Sequence, residues 1–264
     1  LPFTLAHPAA ILPFLRQPFV PIALVAGALA PDLPYFMRVP VASGDWYEPL
    51  LNGSNSHDFA QILTVGLPLS LVVAGFLWLV SEPLRWATPD QWLPNHKKLG
   101  RDPSSARIAL WIFYSLMLGL FTHIAWDSFT HAYGWVVQQL PFLSAEIISG
   151  FPLYRILQHA STLAGLVILA LWYLKRLKAN PAKNPRTAGT GIRLALLAAV
   201  IIVPAAVVAA LAIAGEIATG TALTAESFLW VSITSGGMAL LIALAAFGAI
   251  WRLTTLGKKL ATSK

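Results

Sequence analysis

Leu194–Ala214 reads LALLAAVIIVPAAVVAALAIA, an apolar run without one charged side chain. A helix rises about 1.5 Å per residue, so a run of this length covers about 30 Å, the thickness of a bilayer's hydrocarbon core. Hydrocarbon offers no partner to backbone N–H and C=O groups, so such a run crosses it as a helix. Pro204 in its middle predicts a kink.

Working outward, the same reading applies to about Phe59–Val80, Ile108–Trp126 (continuing toward His131), Ile156–Leu174 and Phe228–Ile250. The composition agrees: 57% of the 264 residues are hydrophobic and 11% are charged, against roughly 25% charged in a soluble domain. The expected fold is therefore all-α, a polytopic membrane helical bundle of five clear transmembrane helices with a short-helix region before them. That N-terminal region, Leu5–Leu15 and Pro21–Ala30 interrupted by Arg16-Gln17-Pro18, is either one bent span or a hairpin with Arg16 at its tip. No charged segment precedes the first apolar stretch, so no cleavable signal peptide is expected.

Lysine and arginine orient the spans. Arg85, Lys97, Lys98, Arg101 and Arg107 share one loop. Lys175, Arg176, Lys178, Lys183, Arg186 and Arg193 share another, and Arg252, Lys258, Lys259 and Lys264 lie in the tail. All three regions fall on one side when five spans alternate, which makes that side cytoplasmic. The expected location is a bacterial inner membrane. The expected division is a site-bearing membrane domain over 1–177, a basic linker over 178–193, and a two-helix scaffold with its tail over 194–264. The net charge of +7 is thus a topology signal, and nucleic acid is excluded as a partner because no basic-aromatic surface is laid out for it.

Orientation by lysine and arginine sorts the histidines as well. His57 and Asp58 precede the first clear span at its outer end. His123, Asp127 and His131 lie at the outer end of the second, and His159 at the outer start of the third. Asp32, in Ala30-Pro31-Asp32-Leu33-Pro34, emerges on the same side, and His7 joins it if the N-terminus is a hairpin. His96 alone falls in a cytoplasmic loop. Ionisable groups at membrane depth are costly and point to function.

His123, Asp127 and His131 follow i, i+4, i+8 spacing and form one helix stripe with steps of about 6 Å. Three on one ion would strain a regular helix. Either Asp127 bridges two ions, or one histidine stands behind a ligand and supports it or serves as an acid–base group. The chain has no cysteine, so a metal must take nitrogen and oxygen donors, which suits zinc, manganese or iron. Asp45, Glu48 and Glu146 read as solvated charges beside an interfacial aromatic segment and an amphipathic stretch between Pro141 and Pro152. Arg16, Arg38 and Arg155 are the sparse cations of this half, suited to a phosphate or to the headgroup boundary.

Four motifs together carry a resemblance: Pro2-Phe3-Thr4-Leu5-Ala6-His7, then Gly27-Ala28-Leu29-Ala30-Pro31-Asp32, Asn55-Ser56-His57-Asp58, and Gly119 through His131. In them the chain resembles the bacterial domain-of-unknown-function family DUF4184, which is similar to membrane-bound metal-dependent hydrolases. The resemblance implies His7, Asp32, His57, His123 and Asp127 as metal ligands, and it favours the hairpin. Pro31-Asp32-Leu33-Pro34 stands where the hydrolases have a Pro-Asp-x-Asp-His motif, and Ser56-His57-Asp58 where they have Thr-His-Ser.

The expected function is a metal-dependent hydrolase acting on a lipid or lipid-linked ester or phosphoester at the outer face. One or two divalent ions, zinc first, are held by His7, Asp32, His57, His123, Asp127 and His131. Asp58 or His159 serves as general base or acid. The alternatives are an ion- or proton-coupled transporter, whose site belongs at the midplane between repeats, and a structural membrane protein with a metal clip.

Overall fold

The structure, a computed structural model, describes residues 4–37, 44–94, 105–148, 150–182, 186, 189–220 and 222–262. Arg38, His96, Lys97, Lys98, Arg101, Lys183 and Lys264, named above, lie outside the described residues, as do the side chains of Lys258 and Lys259.

Among the described residues five helices are long and apolar enough to cross a membrane: Phe59–Ala87, Ala106–Gln139, Leu153–Ala179, Thr190–Ala218 and Ser227–Leu256. Among the described residues the secondary structure is helical apart from one small hairpin, as the apolar runs require, and the chain reads as a multi-pass membrane protein. Labels follow chain order: α1 is Pro21–Leu29, α2 Gly53–Ser56, α3 Leu67–Ala87, α4 Ser105–Thr130, α5 Leu153–Ala179, α6 Thr190–Ala218 and α7 Ala225–Thr262. Several hydroxyls inside these helices turn back onto their own backbone. Ser70 donates to Gly66 O at 2.8 Å, and Thr234 to Trp230 O at 2.8 Å. In these two, the polar hydrogen is used without leaving the helix.

The described residues divide into two compact units. One takes 4–34, 44–74 and 105–176. Its N-terminal segment is a hairpin, which settles the open reading. The chain runs out through 3-10 turns at Thr4–Ala9 and Leu12–Phe14 and returns as α1. The outgoing arm is not α-helical because Pro8 and Pro13 remove amide donors from it. The span that begins at Phe59 starts with a 3-10 turn (Phe59–Gln61) and a π turn (Ile62–Gly66) before α3. The stretch expected to be an amphipathic surface segment carries a two-stranded antiparallel hairpin. It pairs Glu146 with Pro152 and Ile148 with Phe151, and Gly150 at φ +77° supplies the turn.

What positions the site in this unit is the crossing of α1 on α4. A β-carbon built on Gly27 meets Leu116 O at 2.2 Å, and one built on Gly119 meets Leu24 O at 2.3 Å. Only two glycines let these backbones touch, the device membrane helices use to associate in lipid. Leu24, Ala28, Leu116 and Leu120 are fully buried around the crossing. Val20 N–H donates to Ser115 Oγ at 2.9 Å at its lower edge.

The other unit takes 35–37, 75–94 and 177–262. In it α7 packs on α6 through Gly236, where an added β-carbon would meet Ala205 O at 3.0 Å. Arg252 of α7 lies over the Trp78 ring at 3.9 Å, donates from Nε to Leu79 O at 3.0 Å, and also bonds Trp78 O. Asp90 and Arg186 form a bidentate pair, 2.6 Å at its shortest. The guanidinium holds the Asp90 carboxyl down to about 2.

Candidate metal centre

Six side chains from four separate segments meet inside the first unit. His7 comes from the outgoing arm, Asp32 from the turn Ala30–Asp32 after α1, and His57 from the end of α2. His123 and Asp127 come from the last two turns of α4, and His131 follows immediately after them. Four of these form the tight group: one ligand atom each from Asp32, His57, His123 and Asp127, all within 4.8 Å of one another.

Backbone carbonyls fix the imidazoles. His123 Nδ1 lies 2.7 Å from Ala28 O, and His57 Nδ1 lies 2.7 Å from Gly53 O. A carbonyl can only accept, so each Nδ1 carries a proton and donates it. Each Nε2 is thereby left as the free ring position. The two Nε2 atoms are 3.2 Å apart. Around them stand Asp127 Oδ2, 3.3 Å from both, and Asp32 Oδ1, 3.4 Å from His57 and 3.7 Å from His123. Two imidazole lone pairs and two carboxylate oxygens have no donor among themselves, so the arrangement calls for a cation at its centre. Burial alone would lower His57, but its contacts with Asp127 and Asp32 outweigh that and push it up to about 10. A proton there is the smallest cation that answers the demand.

The donor set fits a divalent metal. Two nitrogens and two oxygens from three chain segments match zinc, manganese or iron in type, and a carbonyl bond behind each histidine orients its ring. Asp32, His123 and Asp127 are at most 5% exposed. The His57 side chain, at 18%, is the part of the group nearest solvent.

The remaining sequence candidates sit as follows. His7 is buried and stacked on His123, ring centroids 3.7 Å apart and planes 20° off parallel. Its Nε2 is 3.5 Å from Asp127 Oδ1. Burial first, then repulsion from His123, push it down to about 4, which keeps it neutral. His131 stands at the rim, with Nδ1 3.6 Å from Asp127 Oδ1 and its side chain 34% exposed. Asp58 is exposed and caps the turn at Phe59, accepting from Ala60 N–H at 2.9 Å. His159 is exposed on α5. Neither Asp58 nor His159 is brought into the group.

Two residues that sequence reasoning missed hold the site in shape. Gln158, buried on α5, places its amide nitrogen 3.1 Å from His131 Nε2. A donor at Nε2 puts the His131 proton on Nδ1, where Asp127 O lies at 3.3 Å. Ser56, fully buried, donates to Pro31 O at 2.6 Å and so ties α2 to the turn that carries Asp32. Ser56→Ala strands that carbonyl, and loss of a buried partner costs about 1–3 kcal/mol. A lowered melting temperature of the purified protein is the expected result; an unchanged melting curve would show that the tie is idle.

Comparison with known proteins gives a family match. The family described as Domain of unknown function (DUF4184) covers residues 1–249 of the chain. No curated protein and no solved structure matches.

Proposed function

The chain belongs to the DUF4184 family, and from that premise and the geometry of the His/Asp group we propose that it is a metal-dependent membrane hydrolase. Its substrate is a lipid or lipid-linked ester or phosphoester presented at the outer leaflet. One observation carries the metal: two Nε2 atoms 3.2 Å apart, both with Nδ1 engaged by a carbonyl, inside a pair of buried carboxylates. Zinc is the preferred ion for two imidazoles and two carboxylates.

A divalent ion at this position supplies Lewis acidity toward a scissile carbonyl or phosphoryl group and makes water acidic enough to react near neutral pH. The chain's own residues do the rest. Asp32, His57, His123 and Asp127 hold the ion. His57 and His131 face the open side, where a headgroup enters. His131, oriented by Gln158 and standing beside Asp127 at the rim, is placed to help position the entering headgroup.

Membrane placement supports the substrate class. The group lies at the ends of the spans that begin at Phe59 and finish at Gln139, and Arg85 and Arg107 lie at their other ends. Basic ends belong in the cytoplasm, so the group faces outward at headgroup depth. A lipid can reach it there with its chains still in hydrocarbon. The grouping at one face also disfavours a carrier, whose site belongs at the midplane.

The test is elemental analysis of the full chain purified in detergent without chelator, followed by turnover on lipid esters and phosphoesters in mixed micelles. Wild-type protein is expected to retain zinc or a similar ion, and His57→Ala to lose it together with turnover. Equal metal content in His57→Ala and wild type would overturn the assignment.

A further inference from the structure

The four-atom group uses only part of what the pocket offers. Asp127 turns Oδ2 to His57 and His123 but Oδ1 to His7, 3.5 Å away. Asp32 turns Oδ1 to the same two histidines. Left over are both nitrogens of His7, Oδ1 of Asp127 and Oδ2 of Asp32. All are buried, and none has a hydrogen-bond partner. Burying polar atoms unpaired is unfavourable, and buried charge more so. These orphans lie in one pocket, and all of them are potential metal donors.

The stacking of His7 on His123 shows how they would be used. An imidazole lone pair lies in the ring plane. Two rings 3.7 Å apart and 20° from parallel therefore cannot converge on one ion. They direct lone pairs to two points separated by roughly the stacking distance. Both rings aim Nε2 at the same carboxylate, His123 at Oδ2 and His7 at Oδ1. Ions in two-metal sites sit about 3.5–4 Å apart with a ligand bridging them.

We infer that the pocket is a two-ion centre bridged by Asp127, with the second divalent cation held by His7 Nε2 and Asp127 Oδ1, and Asp32 Oδ2 as the remaining donor. This rests on the metal reading above for the first ion. It also narrows the substrate. Two carboxylates neutralise one divalent ion, and a second leaves a double positive charge in a buried pocket, which is unfavourable without an accompanying anion. A phosphoester supplies that anion and a neutral carboxylic ester does not.

The experiment strips full-length wild type and His7→Phe, both in detergent, and titrates them with Zn²⁺, reading bound zinc by elemental analysis after gel filtration. Phenylalanine keeps the stack and the burial but removes both donors. Two ions per wild-type chain, the second weaker, and one per His7→Phe chain are expected. Wild type that saturates at one ion overturns the second ion and leaves the first. Two ions in His7→Phe overturn the role of His7. No ion in wild type sinks the metal reading itself. Should His7→Phe fail to fold, Mn²⁺-loaded wild type decides: an exchange-coupled electron paramagnetic resonance spectrum is expected, and an isolated six-line signal at saturation refutes the pair. Inorganic phosphate, added once the first ion is bound, is expected to tighten the second step by about tenfold, a usual size for coupling between sites. No change would overturn the phosphoester class.

Discussion

Asp127→Asn is expected to empty the centre and stop turnover while leaving the fold in place. The side chain keeps its size, so packing against the ends of α4 and the outgoing arm is preserved. The negative charge and both metal-binding oxygens' basicity are lost. Asp127 touches every histidine of the pocket: His57 and His123 at 3.3 Å, His7 at 3.5 Å, His131 at 3.6 Å. No other residue there does so. Metal contributes several kcal/mol of transition-state stabilisation in hydrolysis, so the rate is expected to fall by at least about a thousandfold. Thermal melting with a chelator adds a second readout. Chelation removes from wild type a ligand that binds only the folded state, and its melting temperature falls. The Asp127→Asn variant has nothing to lose to the chelator and buries one charge fewer, so its melting temperature should not move. Wild-type metal content and rate in Asp127→Asn would end the enzyme proposal.

The sequence carried most of this pocket because its chemistry is expensive. Asp32, His57, His123 and Asp127 stood out as ionisable residues at the ends of apolar runs, and those four make the tight group. Their convergence could be argued from lysine and arginine alone, since charge orients spans and orientation sorts their ends. What stayed hidden was helix phase. Most of α5 faces outward on all sides, so no hydrophobic stripe marks its inner face. His159 drew attention as the ionisable residue, yet one residue turns a helix by about 100°, and Gln158 is the one that points inward. Asp58 follows His57 directly but serves the backbone, as an aspartate before a helical turn commonly does. His131 fell on the stripe by spacing, yet α4 ends at Thr130, and the side chain beyond that end stands at the rim. The hairpin at Glu146–Pro152 escaped because so short a pair carries too little alternation to announce itself.

Gly119→Leu is expected to dismantle the site without touching any of its ligands. At this position an added β-carbon falls 2.3 Å from Leu24 O and 2.8 Å from Ala28 N, both backbone atoms of α1. No rotamer relieves a clash with backbone, so α1 must move off α4. Inserting bulk into a packed core costs typically 1–3 kcal/mol, and the rigid neighbours here put the cost at about 3 or above. The displacement also reaches the metal. Ala28 O, on the displaced helix, is the acceptor that holds His123 Nδ1 at 2.7 Å, and Asp32 follows α1 directly. With that carbonyl withdrawn, the His123 ring is free to turn and its proton can settle on Nε2, where it blocks the ligand position. The expected outcome is a melting temperature lowered by many degrees together with loss of bound zinc, more severe than in Gly119→Ala. Gly75→Leu is the control, since none of the described residues comes within 4 Å of a β-carbon there, and it should behave as wild type. If Gly119→Leu retained metal and stability, α1 and α4 could not be in backbone contact, and the carbonyl that orients His123 would have to be sought elsewhere.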